Sequence, residues 1–299
     1  MQQKITPFIW YVDKAREAAQ LYTSTFPRSK IKDESHFKDT PSDTPSGAIE
    51  IISIELMGQE FSLMSAGPHN ELNPSISFMV HCKKEEEVDK YYNKLSKNGE
   101  VMMALDTYSF SKRFAFIQDK FGVSWQLLYT ENAKESTIVP TLLFVGKNFG
   151  KAEEAIHLYT NIFKNAKVDV LEKYKKGEPN GKPGTVKYSS FIIENQRFTA
   201  MDGLGDHKFT FNDAVSFVVS CKNQAEVDYY WEHLVRGGKE SQCGWLKDTF
   251  GVSWQIVPVQ LEEYMSKDDS GRVMQAMLKM GKLDVKGLHA ALKGTKVSR

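Results

Sequence analysis

Phe-Gly-Val-Ser-Trp-Gln stands at residues 121–126 and again at 250–255, each copy two residues after an aspartate, Asp119 or Asp248. Each copy reads as a turn running into a strand. Its glycine, Gly122 or Gly251, allows a bend that a β-carbon resists. The following residues, Val-Ser-Trp-Gln-Leu-Leu-Tyr and Val-Ser-Trp-Gln-Ile-Val-Pro, are rich in β-formers. On such a strand Ser124 and Gln126 point to one face, and Val123, Trp125 and Leu127 to the other.

Outward from these copies, the whole chain repeats. Residues 5–12 read as a strand, followed by apolar positions Ala15, Ala18, Ala19, Tyr22 and Phe26. Residues 138–145 repeat the strand, followed by Ala152, Ala155, Ile156, Tyr159 and Phe163. Both sets have the spacing of one helix face. Turn-rich loops at 38–47 and 175–184 come next, then hairpins over 48–65 and 185–201 that turn at Gly58-Gln59 and Asn195-Gln196. Strands 76–82 and 215–221 precede helices carrying Val88, Tyr91, Tyr92, Leu95 and Val227, Tyr230, Trp231, Leu234. Further strands lead into the hexapeptides. Each half therefore reads β-α-β-β-β twice. We expect an α+β protein with domains at 1–130 and 138–258, a linker at 131–137 and a helical tail over 259–299. In the tail, helices are expected over 272–280 and after Gly281, docked on a domain or forming a dimer contact.

Bulk properties narrow the function. The 299 residues suit two domains, and a net charge of +1 argues against a general nucleic-acid binder. Three cysteines, Cys82, Cys221 and Cys243, do not make a disulfide framework and point to a reducing cytoplasm. No apolar run reaches membrane-spanning length, and the first residues carry no secretory signal.

Four β-α-β-β-β modules in tandem resemble the vicinal oxygen chelate superfamily of glyoxalase I, bleomycin-resistance proteins and extradiol dioxygenases. More closely, the chain resembles the PhnB-like subfamily. The residues that carry this are Ile5-Thr6-Pro7-Phe8, Leu21-Tyr22-Thr23, Gly58-Gln59-Glu60-Phe61, the run from Glu240 to Asp248, and Arg272-Val273-Met274-Gln275-Ala276-Met277-Leu278. The first half departs from the pattern at Leu105-Asp106-Thr107-Tyr108-Ser109-Phe110, where the second has Cys243-Gly244-Trp245-Leu246-Lys247. The resemblance implies that paired modules curl into a cup and that fused halves mimic a homodimer of single-domain relatives. It also implies one side chain from each of four strands on a divalent metal.

Tested residue by residue, that metal set is missing. Thr6–Phe8 and 140–142 hold no His, Asp or Glu; Ser75 and Ala214 are poor; only Asp202 falls in the next position; Gln126 and Gln255 are neutral amides. Transition metals in such sites usually take imidazole or carboxylate, so we expect no metal and no other cofactor. His36, His81, His157 and His233 have no histidine at the matching place in the other half, whereas His69 and His207 fall in corresponding loops. Some relatives carry the label 3-demethylubiquinone-9 3-methyltransferase. Gly203-Leu204-Gly205-Asp206 is no nucleotide-binding turn, so methyl transfer has no basis in the sequence.

What remains is a small-molecule pocket. Its expected lining is Ser124, Gln126, Met201, Asp202, Trp245, Lys247, Ser253 and Gln255, with Met64 and Arg113 reaching the first cup. The expected function is metal-independent binding of a small molecule. The alternative is an enzyme using the cup without the standard metal, with Gln255, Asp202, Lys247 or Cys243 as its polar groups.

Overall fold

A computed structural model describes residues 3–37, 44, 47–131 and 133–295. The first module is β1 (Ile5–Tyr11), α1 (Ala15–Thr25), β2 (Lys30–Phe37), β3 (Ile49–Leu56) and β4 (Gln59–Ser65). The second is β5 (Ile76–Cys82), α2 (Glu85–Leu95), β6 (Glu100–Tyr108), β7 (Ser111–Gln118) and β8 (Ser124–Tyr129). The third is β9 (Thr137–Phe144), α3 (Ala152–Ile162), β10 (Lys167–Lys173), β11 (Val186–Ile193) and β12 (Gln196–Asp202). The fourth is β13 (Val215–Cys221), α4 (Gln224–Leu234), β14 (Lys239–Glu240), β15 (Trp245–Lys247) and β16 (Ser253–Pro258). Three tail helices follow: α5 (Gln260–Ser266), α6 (Arg272–Met277) and α7 (Val285–Lys293). The architecture is α+β and built from β-α-β-β-β modules, as expected. No described helix is long and apolar enough to cross a membrane.

The chain divides into two units, Pro7–Val215 and Met1–Thr6 with Ser216–Arg299. In the larger unit an eight-stranded sheet runs β10-β11-β12-β9-β5-β8-β7-β6, and four strands run β1-β4-β3-β2. In the smaller unit the strands run β14-β15-β16-β13. Within every module the first strand lies parallel to the last. β5 pairs antiparallel with β9, so the second and third modules share a sheet across residues 131–137.

The helix faces are those the spacing predicts. Ala15, Ala18, Ala19 and Tyr22 are buried in α1, and Ala152, Ala155, Ile156 and Tyr159 in α3. α2 packs on β5, β7 and β8 through Val88, Tyr91 and Leu95. β2 and β10 are mostly exposed edge strands; β2 is largely polar, and the short Val168-Asp169-Val170 alternation of β10 is broken at once by Leu171, so neither span is marked clearly. The expected loop at 38–47 lies, apart from Thr44 and Gly47, outside the described residues, as do Lys296 and Arg299.

The duplicated hexapeptide is a locked turn. Asp119 Oδ1 accepts the backbone N–H groups of Phe121 (2.9 Å) and Val123 (3.1 Å), and Oδ2 accepts the indole N–H of Trp125 (2.9 Å). Tyr22 of α1 adds its hydroxyl to Oδ2 at 2.7 Å. Asp248 repeats the pattern with Phe250, Val252 and Trp254. Gly122 has φ +94°, where a β-carbon would be strained. From the connections that follow α2 and α4, a β-carbon on Gly99 would lie 2.2 Å from Gln118 O, and one on Gly238 2.0 Å from Lys247 O. Both obstacles are backbone. Gly99→Ala and Gly238→Ala should each cost about 1–3 kcal/mol by overpacking, read as a lower urea midpoint. A loss under about 0.5 kcal/mol, the range of an ordinary surface substitution, would mean that this turn simply relaxes.

The tail docks within its own unit. Val273, Leu283 and Leu288 are fully buried, with Tyr264, Met277 and Met280 packed around them. Cys243 N–H donates to Met280 O (2.7 Å) and Gly244 N–H to Gly281 O (2.8 Å), so the tail holds the loop before β15. α6 ends three residues short of Met280, and α5 buries no residue fully but lays Leu261, Tyr264 and Met265, a short apolar face, against this core.

Candidate functional site

On β5, Phe78, Val80 and Cys82 are fully buried, and Phe78 packs on Trp125 of β8. Ser77, Met79 and His81 therefore point to the opposite face of the sheet. The same alternation puts Ser124 and Gln126 of β8 on that face. Strand register then brings Gln118, Ser124, Ser77, Thr141, Thr199 and Ser190 into one row across six strands. Its five hydroxyl residues are at most 4% exposed. One step along, Phe116, Gln126, Met79, Val139, Arg197 and Ile192 form a second row.

The polar groups here are partly committed. Gln126 Nε2 donates to Ser77 Oγ at 2.9 Å. Arg197 donates to Ser190 Oγ and pairs with Asp169 at 2.8 Å. His81 Nδ1 lies 2.9 Å from Thr130 Oγ1, while His81 Nε2 and Ser124 Oγ are buried without a hydrogen-bond partner. Burial, with the nearby Arg197 charge, lowers the His81 pKa to about 4. The imidazole is therefore neutral near pH 7.

Of the expected site residues, Ser124, Gln126 and Met201 meet on this face, Met201 lying beside Leu143 in register. Trp245, Lys247, Ser253 and Gln255 gather in the smaller unit, where Trp245 is opposite Gln255 and Lys247 opposite Ser253. There Gln255 Nε2 donates to Ser216 Oγ at 3.0 Å, repeating the Gln126–Ser77 bond. Asp202 lies elsewhere. Its carboxylate accepts the N–H groups of Gly150 (2.8 Å), Ala152 (3.2 Å) and Val186 (2.8 Å), closing the start of α3. Arg113 also turns away from the face, with Nε 2.6 Å from Asp89 of α2. Met64 is buried in β4.

Ser75 and Ala214 lie just before β5 and β13. The side chains bonded to the glutamines are Ser77 and Ser216, two residues on. Their signal is visible in the sequence as a serine interrupting both apolar strands, Ile76-Ser77-Phe78 and Val215-Ser216-Phe217. Thr141, Thr199 and His81 were also missed. His81 corresponds to Ser220 in the repeat, so comparing the halves hides it.

The family described as 3-demethylubiquinone-9 3-methyltransferase matches residues 3–128 and 136–257. The chain belongs to this family. It is a PhnB-like member of the vicinal oxygen chelate superfamily. A putative 3-demethylubiquinone-9 3-methyltransferase, PhnB protein, from Bacillus cereus is 36% identical over 43% of this chain and 100% of its own, with a TM-score of 0.40. Protein YjdN of Escherichia coli K12 is 24% identical over 40% of this chain and 83% of its own. Glyoxalase I from Zea mays, 10% identical, covers 84% of this chain and 92% of its own with a TM-score of 0.54, a likeness of fold.

The divalent metal that the superfamily implies does not suit these residues. The rows offer hydroxyls, amides, a thioether and one guanidinium, and the one imidazole placed on this face, His81, lies a step beyond them, beside Leu128 and Thr137. Among the described residues no three His, Cys, Asp or Glu side chains gather as a metal set. Neutral oxygen donors of this kind are weak ligands for transition metals.

Proposed function

We propose that the chain binds a small molecule, without a metal, against the rows of the eight-stranded sheet centred on Ser77, Ser124 and Gln126. One observation carries this reading: His81 Nε2 and Ser124 Oγ are buried, face the same side of the sheet and have no protein partner. Buried polar groups in folded proteins are normally hydrogen-bonded, and a bound molecule supplies what these two lack. They stand four residues apart along adjacent strands, about 13 Å at the usual rise. That span suits a ligand of drug-like length. The neutral hydroxyl floor favours an uncharged, oxygen-bearing ligand, with Arg197 as the nearest charge.

Catalysis by the groups first considered draws less support. Three backbone N–H groups hold Asp202, and burial pushes the Cys243 thiol up, away from thiolate. Methyl transfer is not part of the proposal, since residues 203–206 follow β12 and open no helix. We place the protein in the cytoplasm on its three unpaired cysteines.

Ser124→Ala separates a binding role from a filled core. Deleting a buried hydroxyl that has no partner should leave stability unchanged or raise it by about 1 kcal/mol. Binding of whatever molecule co-purifies in native mass spectrometry should weaken by about tenfold, one lost hydrogen bond. A stoichiometric divalent metal in the purified chain, or a destabilised Ser124→Ala with unchanged binding, would refute the reading.

A further inference from the structure

A cleft of about 600 Å³ opens on the first half of the chain. The end of β1, the connection from β4 to β5 and the turn from β7 to β8 form its walls. It shares only Gln118 with the rows described above. We propose that it is a second binding site, for an uncharged planar aromatic molecule with a hydrogen-bonding group on its edge.

The walls are aromatic and fixed. Trp10 Nε1 donates to Gly67 O at 2.9 Å, and His69 meets the indole edge-on with ring centres 5.9 Å apart. The indole N–H is thus engaged, and the ring is set in one orientation. Phe121 is held edge-on by Tyr11 and Tyr22, each 6.4 Å away. Val12, 43% exposed, completes an apolar lip with Pro68 and Leu72. Flat rings pack well on such surfaces.

The charges cancel. Lys14 and Lys120 stand against Asp13 and Glu71 in the lining, two of each sign. Lys14 is paired with Glu17 (3.1 Å) and Asp13 (3.9 Å), and the Lys120 ammonium lies over the Phe121 ring at 4.9 Å. An anionic ligand would therefore have to compete with these contacts for Lys14 and Lys120, and a cation would meet two ammonium groups beside the two carboxylates. Edge recognition falls to two amides. Gln118 uses its Nε2 on Gly122 O at 2.8 Å, which leaves Oε1 to accept, and Asn70 offers both donor and acceptor.

The framework does not demand this chemistry. At the matching places of the second half, Trp10 becomes Leu143 and Gln118 becomes Lys247, although the fold repeats. An aromatic wall with a neutral amide is thus particular to the first half. The proposal goes beyond the reading of the sheet rows and does not depend on it.

The test is titration of the full chain with 4-hydroxybenzamide, followed by the indole N–H resonances of its five tryptophans. Saturable movement of the Trp10 signal is expected, with the buried Trp125 and Trp254 signals unmoved. Val12→Glu and Asn70→Ala, both outside the core, should weaken binding about tenfold, whereas Ser124→Ala should not change it. Added salt should have little effect. No saturable shift at millimolar probe, equal binding by Val12→Glu, or tighter binding of 4-hydroxybenzoate than of the amide would overturn the assignment. Failure of the Ser124→Ala test with success here would remove the first site and leave this one.

Discussion

Asp119→Ala should lower stability by about 4–6 kcal/mol, among the largest single losses available in this chain. Four donors converge on the one carboxylate: the Phe121 and Val123 N–H groups, the Trp125 indole and the Tyr22 hydroxyl. Asp119 is 3% exposed, and Trp125 and Tyr22 are fully buried. Alanine would leave these donors without a partner, at about 1–3 kcal/mol each, less what relaxation recovers. Asp119→Asn sharpens the case. Its oxygen can keep the two backbone bonds, but its NH₂ would face the indole N–H, donor against donor. The expected cost is about 2–3 kcal/mol. Burial also pushes the Asp119 carboxyl up despite its four donors. Urea unfolding followed by tryptophan fluorescence checks both variants. An alanine loss below about 2 kcal/mol, smaller than two orphaned donors, would show that the lock is redundant.

Acid should cost the protein on the order of 3 kcal/mol through His81 alone. Its folded-state pKa is about 4, against about 6.5 for an unfolded histidine. Between those values the unfolded chain binds the proton and the folded chain does not. Stability is therefore full above about pH 6.5 and falls as the pH drops towards 4. His81→Gln should flatten that limb while leaving stability near neutral pH within about 1 kcal/mol. Comparison of the two unfolding curves from pH 7 to 4 removes the contribution of carboxylates common to both. Parallel curves would mean that His81 titrates normally, so that its Nε2 meets water.

Much of the fold was legible because each module repeats. Two copies of one helix spacing and two copies of one strand-turn string identified the elements. β2 and β10 escaped because exposed edge strands with many charges carry too short an alternation, in β10 only Val168-Asp169-Val170, to mark a strand. The site was legible only in part. Period two says which residues of one strand share a face, and it placed Ser124 with Gln126 correctly. The same rule bars Met201 and Asp202, adjacent in one strand, from sharing a face, so one of them had to lie elsewhere. Which strand lies beside which is another matter. Thr141 and Thr199 join Ser77 only through the pairing of β5 with β9, which lies beyond the linker. Nor does any local pattern tie Asp119 to Tyr22, 97 residues earlier.

The pairing of β5 with β9 separates the unit of repetition from the unit of folding. A chain of two copied halves invites the idea that each half matures alone, with the linker as a neutral tether. Here the first half, formed alone, would present β5 as a bare edge, with its backbone donors and acceptors open to any strand nearby. Closing that edge requires the chain to continue past residue 137, and the segment joining the two strands is long enough for closure to cost little more than a shorter one would. Duplication thus supplied a neighbour in the same molecule, at an effective concentration that a separate copy would have to match in solution.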